Sequence, residues 1–571
     1  MDASGPLELP YITWGGDVAT FHANGDLRTQ AGSIFSELGL NLQLRAGDDF
    51  PAQVRRYMEG KTPFLRGTMR MIGLASEVIG SDPRTKGVTF LQLTWSAGDH
   101  MVSRGSLKTL GDLKGAKVAL QAGGPHIGML DDILRAQQLG WDDIKVVWAQ
   151  ELTGPKGPAA LFRRDPSISA CMLITPDMIG VTGGLEETGT GAEGTVKQAH
   201  VLVSTAQMSR SIADVYVCRK DFYDAHLSKV QALVAGYLRG CEEIVALKKD
   251  FAVKGRKSPY MKVLGLTQKI FGKEVIPTLE VDAHGLIEDC TFVGLPGNKS
   301  FFLDQGNTEG FEGKQRKALD LAMSRGYTKA KLGLFKPGSE LDYAAVARLG
   351  KLKHLQGSSS PRVVGAETTD LFPDDALDDN TITSFTVNFE PDQNTFSALV
   401  YGAEFQRAVE QSILFGNAVV AIRGHSDPTL TLVNFIRSGL KKGILKRSGS
   451  KGNYQYFYKN RPLDVTDTGS IVRLVESGAF GGTEHDPRVT MQAALTLSRR
   501  RAEAVRDAIV SYAKSKGLSL DPSQIQPVGV GIAEPLVAKP RNQQEAGVNR
   551  RVEFRLVKVS AEVLKQDDFD Y

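Results

Sequence analysis

The stretch LTLSRRRAEAVRDAIVSY, Leu495 to Tyr512, carries three consecutive arginines. At about 100° per residue on a helix, Leu497, Ala504, Val505, Ala508 and Tyr512 form one apolar stripe with Arg501 in its middle. Arg499 and Arg500 point elsewhere. A guanidinium does not shed its proton, so burying one requires an anionic partner. The pattern offers Asp427, which follows the apolar run VVAIRG within Gly424-His425-Ser426-Asp427. A carboxylate just past a strand can face the N-terminal half of the next helix. Two chemistries fit. The pair is either a structural ion pair, or a split clamp in which Arg501 forks a ligand carboxylate and Asp427 takes its ammonium group.

A second set of candidates lies in the first 350 residues, where apolar strand-like runs end in short polar or Gly-rich turns: TWGGD at Thr13–Asp17, FLRGTMR at Phe64–Arg70, TWSAGD at Thr94–Asp99, QAGGPH at Gln121–His126 and TPD at Thr175–Asp177. Open α/β sheets bind ligands at such strand ends. AGGPHIGMLDDIL adds bare backbone N–H groups and a helix start, which suits an anion or a carbonyl. A tight turn needs the same glycines, and Trp14 and Trp95 serve equally as core. Cys171, Cys218, Cys241 and Cys290 are far apart, with no CxxC and no Cys/His cluster, so no structural metal site is expected. Cys171 and Cys218 sit in apolar runs and read as buried small hydrophobes. No G-x-S-x-G or HExxH appears. These patterns imply no catalytic residue, no metal and no cofactor.

These residues need elements to hold them. From Leu7 to about Leu349, strand-like runs (LELPYITW, LNLQLRA, VTFLQLTW, AKVALQAGG, IKVVWAQE, ISACMLITPD, VLVST) alternate with helical patterns, which predicts a largely parallel sheet covered on both sides. Asp221 to Lys249 reads as one long amphipathic helix. QGSSSPRVVGAETTDLFPDDALDDN marks a linker over 351–380. Beyond it comes a smaller β-α-β-α-β-β unit over 381–560, interrupted by an insertion over 428–490. The insertion's first half carries Arg437, Lys441, Lys442, Lys446, Arg447, Lys451, Lys459 and Arg461 with no acidic residue among them. That is a surface for an anionic polymer or lipid headgroup, or simply a solvated loop.

At 571 residues the chain is long enough for three or four domain-sized units. With 41% hydrophobic and 23% charged residues it has a globular composition, and a net charge of +4 gives no general case for nucleic-acid binding. No apolar run approaches the roughly 18 residues of a membrane span. The opening Met1-Asp2-Ala3-Ser4-Gly5-Pro6 fits either a cytosolic start or an exported protein whose leader has been replaced.

Two family resemblances emerge from these motifs. GHSDP, LSRRRAEAV and VNRRVEFRL, in order and on the expected elements, resemble the OmpA C-terminal peptidoglycan-binding domain over roughly Thr383 to Val557, less the insertion. That resemblance implies that Asp427 and Arg501 bind diaminopimelate of the cell-wall stem peptide, with Asn549 and Arg551 at the site rim. The chain departs from the family at Ala494, where an Asn is usual, and in the insertion directly after Asp427. SLKTLGDLKGAKVALQAGGPH, with GDDFPAQVRRYMEGKTPFLRG and DFYDAHLSKVQALVAGYL, resembles a type II periplasmic solute-binding protein over 7–350, in the branch of nitrate, sulfonate and thiamine-precursor binders. The match implies two lobes closing over a small solute, entry to the second lobe at Lys108–Lys117, and a return along VLVSTAQMSRSIADVYVCR. It maps solute contacts onto Trp14, Asp17, Gly67, Thr68, Ser96, Gly123, Gly124, His126 and Asp177.

Together the resemblances imply a two-lobed α/β type II binding-protein fold followed by an OmpA-like α/β sandwich. The expected function is a periplasmic, wall-associated solute receptor, not an enzyme. Its partners are peptidoglycan, a small solute, and an ABC permease or envelope sensor, with no nucleic acid, and its export signal has been removed. Two alternatives stand beside it: an envelope protein whose solute-binding fold contacts a partner, and an enzyme like the thiamine-pyrimidine synthases, for which the chain lacks the Cys-rich motif.

Overall fold

The computed structural model describes residues 5–208, 210–356, 381–388, 396, 398–416, 418–450, 453–518, 520–521, 524–558 and 569–570. Most of the linker stretch, 357–380, lies outside the described residues. Met1–Val364 with Ile413–Asn417 and Ser560–Tyr571 forms one compact unit; Gly365–Ser412 with Ala418–Val559 forms the other. Among the described residues no helix is long and apolar enough to cross a membrane.

The first unit holds two five-stranded sheets, not the largely parallel one that strand–helix alternation predicts. In the first lobe, β3 (Phe64–Thr68), β4 (Gly87–Ser96), β10 (Ala213–Arg219) and β11 (Cys290–Val293) lie in the order β11-β4-β10-β3, all antiparallel to their neighbours, with β19 (Phe569–Asp570) alongside β11. A parallel pair, β1 (Leu7–Tyr11) and β2 (Leu42–Ala46), completes the lobe. In the second lobe, β5 (Asp99–Ser103), β6 (Lys117–Gln121), β7 (Lys145–Ala149), β8 (Ala170–Ile174) and β9 (His200–Ser204) run in the order β7-β6-β8-β5-β9, parallel at β7-β6-β8 and antiparallel at β8-β5-β9. The chain crosses between lobes twice, from β4 to β5 and from β9 to β10. Entry to the second lobe is therefore at Asp99, ahead of the Lys108–Lys117 stretch expected to mark it, and the return is at the expected place.

Strands β4 and β10 are buried along their whole length because both sheet faces are covered. Alternation along β10 shows how: Ala213, Val215 and Val217 enter one hydrophobic cluster, Tyr216 and Cys218 another. All four cysteines are buried and free, and burial holds each thiol well above its ordinary pKa. The predicted 221–249 helix is two: Lys220–Ala225 and Leu227–Lys254, broken at His226.

The second unit is a four-stranded sheet of β12 (Thr381–Asn388), β18 (Arg551–Val557), β13 (Val419–His425) and β17 (Ile525–Gly531), in that order. Helices Ala398–Leu414 and Pro487–Ser515 follow β12 and precede β17, and an unanticipated short helix, Gln543–Asn549, precedes β18. The interruption is ordered: helix Thr429–Lys441, an antiparallel sheet β14 (Leu445–Ser450), β15 (Asn453–Tyr458) and β16 (Arg461–Leu463), and helix Thr468–Glu476. These pack on a core of their own, Leu432, Phe435, Leu445, Ile471, Val475 and Phe480.

Candidate functional sites

In the first unit the predicted solute contacts lie in the turn after β1, at the end of β3, at the β4–β5 crossing and at the ends of second-lobe strands. Asp17 does not present a vacant carboxylate. It is fully buried and takes Nε and Nη2 of Arg66 (3.1 and 2.8 Å), whose Nη1 reaches Asp214 at 2.7 Å. Burial pushes Asp17 up to about 7 against the pull of Arg66, and raises Asp214 as well. The cation beside Asp17 is thus supplied by β3 itself. Gly67 lies inside β3, where an added Cβ would touch Phe50, Ile72 and Met71. Thr68 caps the helix Met69–Leu74 by accepting from the Met71 amide (3.1 Å).

From the second lobe comes a buried polar cluster. The Ser96 hydroxyl donates to Asp99, and His126 Nε2 meets the other Asp99 oxygen at 2.6 Å. Burial is the largest single influence on Asp99 and would raise it, but the hydrogen bonds from His126 and Ser96 and the charges of His126 and His100 together hold the carboxyl below its ordinary value. His100, pushed down to about 4 by burial, stays neutral and bonds Thr175 at 3.0 Å. His126 opens the helix His126–Ala136 after Gly123 (φ +68°), beside which there is open space; Gly124 packs over Gln121. Asp177 is raised by burial. Trp14 Nε1 from the first lobe, and His126 Nδ1 and Asp177 Oδ2 from the second, are buried with no hydrogen-bond partner among the described residues. Polar atoms left so cost about 1–3 kcal/mol each, and a solute could recover that.

Beside this region the lobes are joined by ions. Arg70, on the Met69–Leu74 helix, gives Nη1 to Asp131 (3.0 Å) and Nη2 to Asp132 (2.5 Å) of the helix His126–Ala136; all three side chains are buried. Ser211 bonds Asp132 at 3.0 Å, and Lys317, paired with Glu309 at 2.6 Å, stands 4.0 Å from it. The motif reading missed Arg66 and Arg70. The signal was the one that exposed Arg501: an arginine within FLRGTMR, a run too apolar to hold a charge in water.

In the second unit Arg501 is buried, 3% exposed, as its place in the pattern required. The buried stripe is rotated from the predicted one, however: it runs Ser498, Arg501, Ala502, Val505, Ile509, Ala513, while Leu497 is 36% exposed. Two hydroxyls set that rotation. Ser426 donates to the Ala494 carbonyl (3.0 Å), and Ser498 accepts from the Gly531 amide (3.0 Å). Gly424 lets the helix come this close, since a Cβ there would overlap the Ser498 carbonyl. Asp427, half-buried at the tip of β13, accepts from Thr429 (3.0 Å) and Asn549 (3.5 Å). Asn549 is fully buried and clamps Val537 through its amide and carbonyl (3.0 and 2.7 Å). Arg551 gives Nη2 to the Glu534 carbonyl (3.1 Å), and burial lowers its pKa. His425, Glu534 and Glu553 offer ligand atoms within 4.8 Å of one another. Arg423, with both Nη groups on Glu534 (2.9 and 2.6 Å), already supplies the cation there.

No protein-family model matches the chain, and no curated protein matches it. Among solved structures, the ligand-binding component of an ABC-type import system from Staphylococcus aureus with zinc bound aligns at 11% identity and TM-score 0.40, over 60% of this chain and 100% of that one. The periplasmic aliphatic sulphonate binding protein of Escherichia coli aligns at 14% and 0.41, over 58% and 96%. The periplasmic nitrate-binding protein of Synechocystis PCC 6803 aligns at 11% and 0.39, over 61% and 86%. A desulfurization enzyme also aligns, at 13% and 0.35, over 60% and 99%.

Proposed function

We propose that the chain is a periplasmic receptor whose first unit closes two lobes over a small solute for ABC-type uptake or sensing, and whose second unit tethers it to peptidoglycan. The observation that carries the first half is the set of buried, unpartnered polar atoms at Trp14, His126 and Asp177, contributed by two lobes joined by two crossings. Two-lobed folds with such crossings close by hinge motion. The tether reading rests on Arg501, a guanidinium kept inside a helix–sheet seam whose strand tip ends in Asp427. There Arg501 forks the carboxylate of diaminopimelate and Asp427 holds its ammonium group, with Asn549 fixing the Asp427 carboxylate and Arg551 standing at the rim.

Sedimentation with purified peptidoglycan tests the tether. The parent protein co-sediments, Arg501→Ala stays in the supernatant, and added diaminopimelate releases the parent. Equal sedimentation of parent and variant, with both folded, overturns the reading. The buried Arg70–Asp131–Asp132 latch favours a second reading, in which the lobes stay shut and the unit contacts a protein partner. Thermal-shift screening of amino acids, sulfonates, nitrate and pyrimidines separates the two. A solute at 100 times its Kd stabilises by about 2.7 kcal/mol, whereas a shut unit responds to none.

A further inference from the structure

The ordered insertion of the second unit is the most unbalanced surface among the described residues. Between Pro428 and Leu463 the sequence contains no Asp or Glu. Of its described cations, Lys441 pairs with Glu484 at 2.9 Å, and among the described residues no carboxylate lies within 4 Å of Arg437, Lys442, Lys446, Arg447, Lys459 or Arg461. Lys442 and Lys446 settle on neutral oxygens, the Ala479 and Gly481 carbonyls and Asn460. Arg447 lies 4.5 Å over the Tyr454 ring and Lys459 5.3 Å over Tyr458. Lys451 belongs to the same run but lies outside the described residues.

The sheet register sorts these groups. Partners directly opposite share a face, so Arg447, Tyr454, Tyr456, Tyr458 and Arg461 stand on one face of β14-β15-β16. Tyr458 is committed to the local core, packed on Phe480. Tyr454 and Tyr456 are half-buried, about 7 Å apart along the strand, and their hydroxyls bond nothing among the described residues. Opposite Tyr454 stands Gly449, which has no side chain to lay on the ring, and Arg447 lies over it. The two-residue turn Lys459-Asn460, with both φ positive (49° and 62°), joins β15 to β16, and at this end of the face Leu445, Tyr458 and Leu463 pack on the core that holds the stacked Phe435 and Phe480.

We infer that this face binds an anionic glycan: sugar rings lie on Tyr454 and Tyr456, their hydroxyls meet the phenols, and phosphate or carboxylate groups along the chain meet Arg447, Lys459 and Arg461, while Lys446 stands on the other face opposite Phe457. Flat rings with wet hydroxyl ends suit a ligand that is apolar on its faces and hydroxylated at its edges. A bilayer is a poorer fit, because the sequence Ser448-Gly449-Ser450-Lys451-Gly452-Asn453 offers no large apolar side chain to insert. The inference stands apart from the diaminopimelate reading, which concerns other residues.

Binding of the full chain to polygalacturonate and heparin, measured by calorimetry against neutral dextran, oligo(dT) and phosphatidylglycerol vesicles, tests it. The parent binds both anionic glycans, more weakly as salt rises, and dextran negligibly. Joint Arg447→Gln and Arg461→Gln weakens glycan binding several-fold at low salt, as loss of two exposed pairs implies. Tyr454→Ala with Tyr456→Ala weakens it at every salt concentration, and the Phe counterparts separate ring from hydroxyl. Arg501→Ala binds the glycans as the parent does, and the double Gln variant still sediments with peptidoglycan. Glycan binding no tighter than dextran, tyrosine variants that bind normally, or tighter binding of oligo(dT) or vesicles overturns the inference.

Discussion

Single residues here are read by what burial does to charge, and Asp289 gives the clearest case. It lies just before β11, with its main-chain carbonyl accepting from Ala97 (2.7 Å) at the first lobe crossing. Burial pushes its carboxyl up to about 7 from 3.8, while a hydrogen bond from Thr175 opposes and the charges of Asp99 and Glu288 add to the rise. The folded state therefore holds a proton that the unfolded chain has lost. The stability this contributes is complete below the unfolded value of 3.8 and disappears as pH rises through about 7. Asp17, also near 7, adds a slope of the same sign. Glu309 and Glu553, held down to about 2 against burial by neighbouring cations and hydrogen bonds, add the opposite slope below their ordinary range. Asp289→Asn is expected to flatten the upper part of the profile, leaving the variant more stable than the parent at mildly alkaline pH and no better at mildly acidic pH. Urea denaturation across that range reads it; an unchanged slope would place the proton elsewhere.

At the scale of elements, the latch between helices Met69–Leu74 and His126–Ala136 makes a sharper statement. Removing one member of a buried ion group strands the others, at a cost of about 3–5 kcal/mol, whereas replacing the whole group by neutral side chains is often nearly neutral. Arg70→Ala is expected near the lower end, because Arg135 (2.8 Å) still holds Asp131 and Lys317 stands near Asp132. Arg70→Met with Asp131→Asn and Asp132→Asn is expected to restore most of the stability yet leave the lobes more open. Denaturant midpoints and small-angle scattering measure the two effects separately. Such a latch was invisible in the sequence, since its members are 61 and 62 positions apart. The strands themselves were legible: VTFLQLTW, AKVALQAGG and ISACMLITPD are strands where their apolar runs lie. Their partners were not. Two residues between β4 and β5 look like any tight turn, and local alternation carries no information about which sheet a strand joins. Arg501 was legible because helical spacing reports burial directly, but the rotation of its helix depends on Ser426 and Ser498, hydroxyls with no period to betray them.

For the whole molecule the question is whether the two proposed functions share one stability. Each compact unit has its own hydrophobic clusters: those around Phe90 and Tyr216, Trp95 and Phe301, and Phe162 and Cys171 in the first, and that around Phe435 and Phe480 in the second. Units with separate cores unfold as separate cooperative transitions unless a large interface couples them. Calorimetry of the full chain is therefore expected to show two transitions. Because a ligand stabilises only the unit that binds it, diaminopimelate should move one transition and a solute the other. Arg501→Ala should abolish the first shift, leave the solute shift intact and keep both transitions, which separates a lost ligand contact from a lost fold. Diaminopimelate moving both transitions together would mean that the two units are thermodynamically linked, and the proposed wall attachment and solute capture would then belong to a single device.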